Sequence, residues 1–454
     1  MSIDYDSGKT DRLVENAASS KPDGNTLRKD FLWTAVGNLI YKGCQWGILV
    51  VLAKLTSVSD VGKFALGLAV VGPVVMFSQL HLRGTQATDA KNLYEFADYF
   101  GLRLISVIFV LFTSIVIGLS IYGTSLLTLI IILVALAKII ESVSDILFGL
   151  FQKSMRMDKV GKSMILKGSF SLILFIIVVS STRSVVWGIL VLGLSLFAIL
   201  LGYDLPQSRF FSKITPRFRY NNLWSLAKLA APLGVVMGII SLQANIPRYF
   251  IIKYLGEDLL GYFAAVSYVV VAADMLVLSI GEPALPRLAW YYLYNRRAFK
   301  WLLAKMLGIA FIMVLGILGF GFIFGKWFLA IAYTVDYVKY FDVFIWLLVV
   351  SSIAFLNSML GYSLTAARLF RTQMLQGIVI GLIMAVSCAF LVPRYGLRGA
   401  AWAMLIATAL KFFSAGTITL LALKRKPVVM EIDEHPPLYN HSKGFRGWEM
   451  DKMI

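Results

Sequence analysis

Apolar residues in this chain fall in runs of roughly 20, with short polar stretches between them. Twelve such runs are read, at 32–55, 60–82, 102–122, 126–151, 163–181, 184–204, 223–252, 259–282, 303–331, 340–365, 374–392 and 399–423. At about 1.5 Å per residue, a helix of that length crosses a hydrocarbon core of about 30 Å. The connections are too short to hold a soluble domain of ordinary size. The pattern therefore predicts an all-α polytopic membrane protein with 12 transmembrane helices. Its units are a polar N-terminal tail (1–31), a first six-helix bundle (32–204), a linker (205–222), a second six-helix bundle (223–423) and a polar C-terminal tail (424–454).

Charge orients those helices. The chain has 43 Lys and Arg against 25 Asp and Glu, a formal net charge of +18. One set of turns carries only Lys54, Lys63, Arg183, Lys253, Lys326, Lys339, Arg394 and Arg398. Most of the other basic residues lie in the two tails and in the opposite turns, at 83–103, 153–167, 209–219, 287–305 and 368–371. That bias is the positive-inside signature and predicts that both termini are cytoplasmic. The basic excess then reflects topology and contact with anionic membrane lipids. Nucleic-acid binding, which needs a clustered basic domain, is excluded as a reading. No cleavable leader pattern is seen in residues 1–31, so the first span is expected to act as its own insertion signal.

The halves look related. Lys54, Gly62, Phe64 and Ala65 align at one constant offset with Lys253, Gly261, Phe263 and Ala264. Both segments are the first turn of a half. Parallel repeats of this kind are common in transporters, with the substrate site between them.

Charges inside spans cost about 3 kcal/mol or more, so they face a cavity or a partner. In the first span Asn38, Tyr41, Lys42 and Gln45 share one helix face, with Trp46 one turn beyond Lys42. In the fourth, Lys138, Glu141, Ser142 and Asp145 do the same, and in the seventh Ser241, Asn245 and Arg248. Asp274 and Lys411 lie in the eighth and twelfth spans, and Glu282 ends the eighth. The simplest arrangement turns these faces toward one central water-filled cavity. Other readings stay open. Lys138 and Glu141 can neutralise each other, leaving Asp145 to bond a neighbouring helix. Arg248 and Lys411 can snorkel, and Asp274 is either an ion site or a helix-pairing residue. Pro232, Pro247 and Pro283 mark static kinks or a hinge.

Two cysteines and three histidines are too few for a disulfide framework or a metal cluster, and no metal site is expected. Neither a GxxxxGK[ST] phosphate loop nor a GxSxG nucleophile motif is present. A transporter driven by a gradient or by consumption of its product is expected, not an enzyme. No cofactor is expected, and a proton or Na+ is the candidate coupling ion.

Five segments add a resemblance: LAKLTSVSDVGKFALGLAV after the first span, LHLRGTQATDAKNLYEFADYFGLRL (80–104), DILFGLFQKSMRMDKVGKSMILKG (145–168), NIPRYFIIKYLGEDLLGYFAAVSYV (245–269) and YGLRGAAWAMLIA (395–407). They resemble the Wzx-type oligosaccharide flippases of the multidrug/oligosaccharidyl-lipid/polysaccharide exporter (MOP) superfamily. The similar positions include Arg83, Asp89, Gln152, Met157, Asp158, Lys167, Pro247, Arg248 and Tyr249.

The resemblance implies a MATE-like fold, two pseudo-symmetric six-helix bundles forming a V around a cationic cavity. It implies a bacterial cytoplasmic-membrane protein that moves an undecaprenyl-pyrophosphate-linked oligosaccharide to the periplasmic leaflet by alternating access. Surface polysaccharide synthesis (O-antigen, capsule or exopolysaccharide) would use that activity, with a polymerase and chain-length proteins as candidate partners. On that reading Lys42, Arg248, Lys138, Asn38, Gln45, Asn245 and Arg83 are substrate-binding candidates, with Trp46 or Tyr249 stacking on sugar rings. Asp274, Glu141 and Asp145 are coupling or gate candidates. The competing readings are a cation-coupled drug or metabolite efflux pump of the same superfamily and a membrane-embedded glycan polymerase or transferase. The intramembrane cations weigh against the first and the short outward turns against the second.

Overall fold

The computed structural model describes residues 24–89 and 92–424. Within the helices, the side chains of residues 24–31, 269–280, 282, 283 and 286 lie outside that description. The first half is built from α1 (Gly24–Leu55), α2 (Val58–Ser78), the short α3 (Leu82–Thr88), α4 (Phe96–Tyr122), α5 (Leu126–Lys153), α6 (Met157–Thr182) and α7 (Val185–Ser208). The second half has α8 (Tyr220–Leu255), α9 (Glu257–Tyr294), α10 (Arg296–Ala332) and, after a 3-10 turn at Val335–Tyr340, α11 (Phe341–Ala366). A final helical stretch, Phe370–Lys424, breaks at Gly396 (φ 59°, ψ −136°) into α12 (370–395) and α13 (397–424). Among the described residues ten segments are long and apolar enough to cross a membrane. The last of these is two crossings, and α9 is a further 38-residue helix, which brings the helices to the expected twelve.

Several helices run past their apolar runs, and chiefly at the end bearing the basic turns. α4 begins at Phe96 rather than 102, α6 at Met157 rather than 163, and α9 ends at Tyr294 rather than 282. Hydropathy marks the part of a helix that faces lipid. In α6 the extra turns bury Val160 while Lys162 faces outward, and in α4 they are buried throughout, Asp98 included. At the opposite end the turns are tight. Ser57 caps α2 by accepting from the Asp60 N–H at 3.2 Å, and Gly256 takes the left-handed φ of +89° that a side chain would resist.

The two halves repeat one packing scheme. α1 lies on α6 as α8 lies on the α12–α13 segment, α4 on α5 as α10 on α11, and α2 on α5 as α9 on α11. Across the halves α2 runs along both α8 and α9. The contact is reciprocal at its tightest point. A Cβ on Gly62 would strike the carbonyl of Glu257, and a Cβ on Gly261 would strike the carbonyl of Val58. These are the positions that the internal repeat pairs, so the pseudo-two-fold axis passes through them. Beside them the Ser59 hydroxyl donates to Glu257 at 2.7 Å, and Lys63 lies 3.5 Å from the same carboxylate.

The hydrophobic core divides by level. At the end bearing Lys54 and Lys253, called outer here after the charge bias, one continuous core joins both bundles. It includes Leu52, Leu66, Ile131, Phe175, Phe263, Phe344 and Ala400. At the inner end the described residues form separate cores. One gathers Leu82, Tyr99, Leu147 and the first turns of α8, and another gathers Leu288, Phe299, Phe355 and Met359. One core joins the bundles at the outer end; at the inner end the cores are separate, with the first turns of α8 packed into that of the first bundle.

Candidate functional site

Just inward of the fused core, polar side chains from both bundles converge. At 1.5 Å per residue, Lys42, Lys138 and Tyr268 lie about 16–20 Å from the outer ends of their helices, and Arg248 about 10 Å. Lys138 and Glu141, one turn apart on α5, form an ion pair at 2.6 Å. The Tyr41 hydroxyl on α1 donates to the other Glu141 oxygen, and Gln45, one turn along, bonds Tyr41. On α8 the Arg248 guanidinium donates to Asn245 Oδ1 at 3.0 Å, and Asn245 Nδ2 donates to the Ser241 carbonyl at 2.8 Å. Tyr268 of α9 interacts electrostatically with Lys138, Glu141 and Arg248, and so ties the two halves of the cluster. Lys42 lies beside Tyr41, half-buried, and makes no ion pair among the described residues. Asn38 donates to the Thr34 carbonyl of its own helix at 3.0 Å.

The neutralisation of Lys138 by Glu141, left open by the spacing, is what the structure contains. The central group thus holds two cations, Lys138 and Arg248, against one described carboxylate, and no contact ties Lys42 to it. Asp274, Glu282 and Pro283 lie outside the described side chains. Lys411 on α13 makes no ion pair among the described residues, and its carbonyl accepts from Gln376 at 3.0 Å. The two aromatics expected to stack on sugar are committed elsewhere. Trp46 Nε1 donates to the Tyr333 hydroxyl at 3.0 Å and its ring stacks on Phe328, while the Tyr249 hydroxyl donates to the Ala69 carbonyl. Both act as ties between bundles in the fused core.

Further along the same face of α5, toward the inner end, lies a second charged group. Asp145 Oδ1 is 3.4 Å from Arg83, at the start of α3, and Oδ2 is 3.3 Å from Arg103 on α4. Arg83 Nε also donates to Gln152 at 3.3 Å. Between the two groups Gln79 donates to Ser142 at 3.0 Å. Asp145 therefore bonds neighbouring helices, the alternative its spacing allowed. Beyond it Lys167 of α6 pairs with Asp204 at 2.6 Å, both almost wholly buried, and Ser163 donates to the same carboxylate at 2.6 Å. Asp204 closes a π-helical turn, Leu200–Asp204.

Arg103, Lys167 and Asp204 escaped the sequence reading as a site. The two cations were assigned to the basic turns at 83–103 and 153–167, but both lie inside helices. The available signal was Asp204, a carboxylate closing an apolar run and in need of a cation.

Outside the membrane-spanning segments, Asp89 organises the turn before α4. Burial pushes its carboxyl up, but the backbone N–H groups of Leu93 (3.0 Å) and Tyr94 (3.2 Å), with Lys153 and Tyr99, outweigh that and hold it below the usual aspartate value. Residues 27–291, more than half of the chain, match the family described as Polysaccharide biosynthesis protein. The chain belongs to that family.

The polysaccharide biosynthesis assignment agrees with individual relatives. The chain is 26% identical over 384 residues to the capsular polysaccharide biosynthesis protein CapF of Staphylococcus aureus, covering 82% of this chain and 94% of that one. An inward-facing multidrug resistance MATE family transporter of the MOP superfamily is similar in structure, with a TM-score of 0.68 at 14% identity over 87% of this chain and 96% of that one. The lipid II flippase MurJ, in an inward closed conformation, gives 0.66 at 12% identity over 86% and 89%. The fold is MATE-like, and this member of the polysaccharide biosynthesis family is a multi-pass membrane protein.

Proposed function

We propose that this protein carries a polyprenyl-diphosphate-linked oligosaccharide from the cytoplasmic to the periplasmic leaflet of a bacterial cytoplasmic membrane, for assembly of a surface polysaccharide. The observation that carries the reading is the charge of the central group. Arg248 has no carboxylate partner among the described residues, and Lys138 shares Glu141 with Tyr41, while Lys42, one residue from Tyr41 on α1, is a further unpaired cation among the described residues. A diphosphate cannot enter hydrocarbon unpaired, and these cations replace its water. An organic cation would meet like charge at the same place, which weighs against drug efflux. Family membership, the capsular relative and the likeness to a lipid flippase support the same reading. Glu141 is our candidate for exchanging a coupling proton or Na+, because it is the described carboxylate of the central group and bonds Lys138 through one oxygen and Tyr41 through the other.

Depletion of the protein should leave lipid-linked oligosaccharide on the cytoplasmic leaflet. Lys42→Ala and Arg248→Ala should each reduce export by about tenfold or more, the scale of a lost charge-assisted contact, with normal amounts of protein in the membrane. Lys42→Arg and Arg248→Lys should keep part of the activity. Normal export by both alanine variants would overturn the charge-pairing mechanism.

A further inference from the structure

Arg103 is unusual among the charged side chains. It is fully buried, it points one guanidinium nitrogen at Asp145, and its Nε and second amino group have no partner among the described residues. Arg83, which takes the other Asp145 oxygen, is held far less firmly. Its side chain is 28% exposed, its contacts to Asp145 and Gln152 are 3.4 and 3.3 Å, and its guanidinium lies 5.6 Å from the centre of the Phe148 ring. A buried cation and a half-exposed one thus share one carboxylate. Removing the only partner of a buried charge is strongly destabilising. A carboxylate with two cationic partners can release one of them without being stranded.

We propose that Arg83, Asp145 and Arg103 form a first docking station for the diphosphate of the lipid-linked substrate, in which Arg83 exchanges Asp145 for a phosphate oxygen and Arg103 retains the carboxylate. The inference rests on the flippase reading above. Asp145 is the placeholder that keeps Arg83 paired while the station is empty. Arg103 is a positioning residue: it touches no ligand, and it sets how tightly Asp145 holds Arg83. The station lies on the helix face that carries Lys138 and Glu141 of the central group. Asp145, Ser142, Glu141 and Lys138 share one face of α5, and Asp145 to Lys138 is a rise of about 10 Å. A diphosphate released by Arg83 therefore has its next cation two helical turns away. The lipid headgroup and a free diphosphate share this chemistry. The station is assigned to the lipid because Arg83 sits at the inner mouth of a membrane-embedded bundle.

The test uses the full chain in lipid nanodiscs, titrated with geranylgeranyl diphosphate as the lipid probe and inorganic diphosphate as the soluble one. It is run in a Lys138→Ala/Arg248→Ala background to silence the central group. Arg83→Ala should weaken binding of the prenyl diphosphate by about tenfold. Arg103→Gln should weaken it by about threefold, because Asp145 then holds Arg83 alone. Arg103→Gln/Asp145→Asn should bind at least as tightly as the background, because Arg83 is then unopposed. A purely structural Arg103 would not give that recovery. If Arg103→Gln fails to fold, the Arg83 variant and the double variant, which buries no lone charge, decide the matter. Unchanged binding in Arg83→Ala, or weakened binding in the double variant, overturns the station. Equal competition by inorganic diphosphate overturns its assignment to lipid. Loss of all binding in the Lys138→Ala/Arg248→Ala background, with binding intact in the unmodified protein, removes the station and leaves the flippase reading. Failure of the unmodified protein to bind the prenyl diphosphate removes both.

Discussion

Single residues in this protein are costly where they are charged and buried. Lys167 and Asp204 are 4% and 0% exposed at the side chain, and each is the other's ion-pair partner. Replacing Lys167 by Met strands Asp204 and should cost about 3–5 kcal/mol, whereas Lys167→Met/Asp204→Leu should recover most of that loss. Thermal unfolding in detergent, compared across the two single variants and the double, measures the difference. An additive double variant would show that the pair is not coupled. Asp89 behaves differently because it lies at the surface. Its native carboxyl titrates below the ~3.9 of an unperturbed aspartate. Its contribution is therefore complete above that value and is lost as pH falls through the lower, native one. Hydrogen-exchange protection of the Leu93 and Tyr94 amides should hold from neutral pH down to about pH 4 and then collapse. In Asp89→Ala it should be absent throughout.

Elements are tied most closely where α2 crosses α9. Gly62 and Gly261 let the two backbones touch, and Ser59, Lys63 and Glu257 form a polar clasp beside them. The proposed transport by alternating access requires that this end part. Cysteines at positions 59 and 257, with Cys44 and Cys388 replaced, should cross-link under mild oxidation. Cross-linking should stop export, and reduction should restore it. Continued export by the linked protein would show that the outer end opens elsewhere. Gly62→Val should also impair export, since its side chain meets the Glu257 carbonyl and not a flexible group that can yield.

At the scale of the whole molecule, one core joins the two bundles at the outer end, and the inner cores are separate, with the first turns of α8 packed on the first bundle. On the proposed reading, a diphosphate arriving at the inner end would meet Arg83 first and the Lys138–Arg248 level next, before the fused core. The order depends on orientation, which the basic turns predict. Reporter fusions should place residues 153–162, 209–219 and the C-terminal tail in the cytoplasm, and residues 254–258 outside. A periplasmic signal from the C-terminal tail would reverse both the topology and the direction of the proposed path.

The sequence by itself determined the crossings, because lipid selects apolar length and a backbone in hydrocarbon has to be helical. It also determined the pseudo-symmetry, since Gly62 and Gly261 stand at matching positions and are the residues that touch. It placed Tyr41, Lys138, Glu141 and Arg248 on the faces that meet, because helical spacing fixes which side chains share a face. Tertiary structure decided which charges pair. Nothing in the order of residues shows that Asp145 sits between Arg83 and Arg103, or that Lys167 finds Asp204, because these contacts join helices far apart in the chain. Nor does local spacing show that Trp46 and Tyr249 tie the bundles together. A charge near a span end reads as a headgroup contact until its neighbours are known. Arg103 and Lys167 became buried partners because the inner turns of α4 and α6 pack against α5 and α7, an outcome of three-dimensional packing and not of hydropathy.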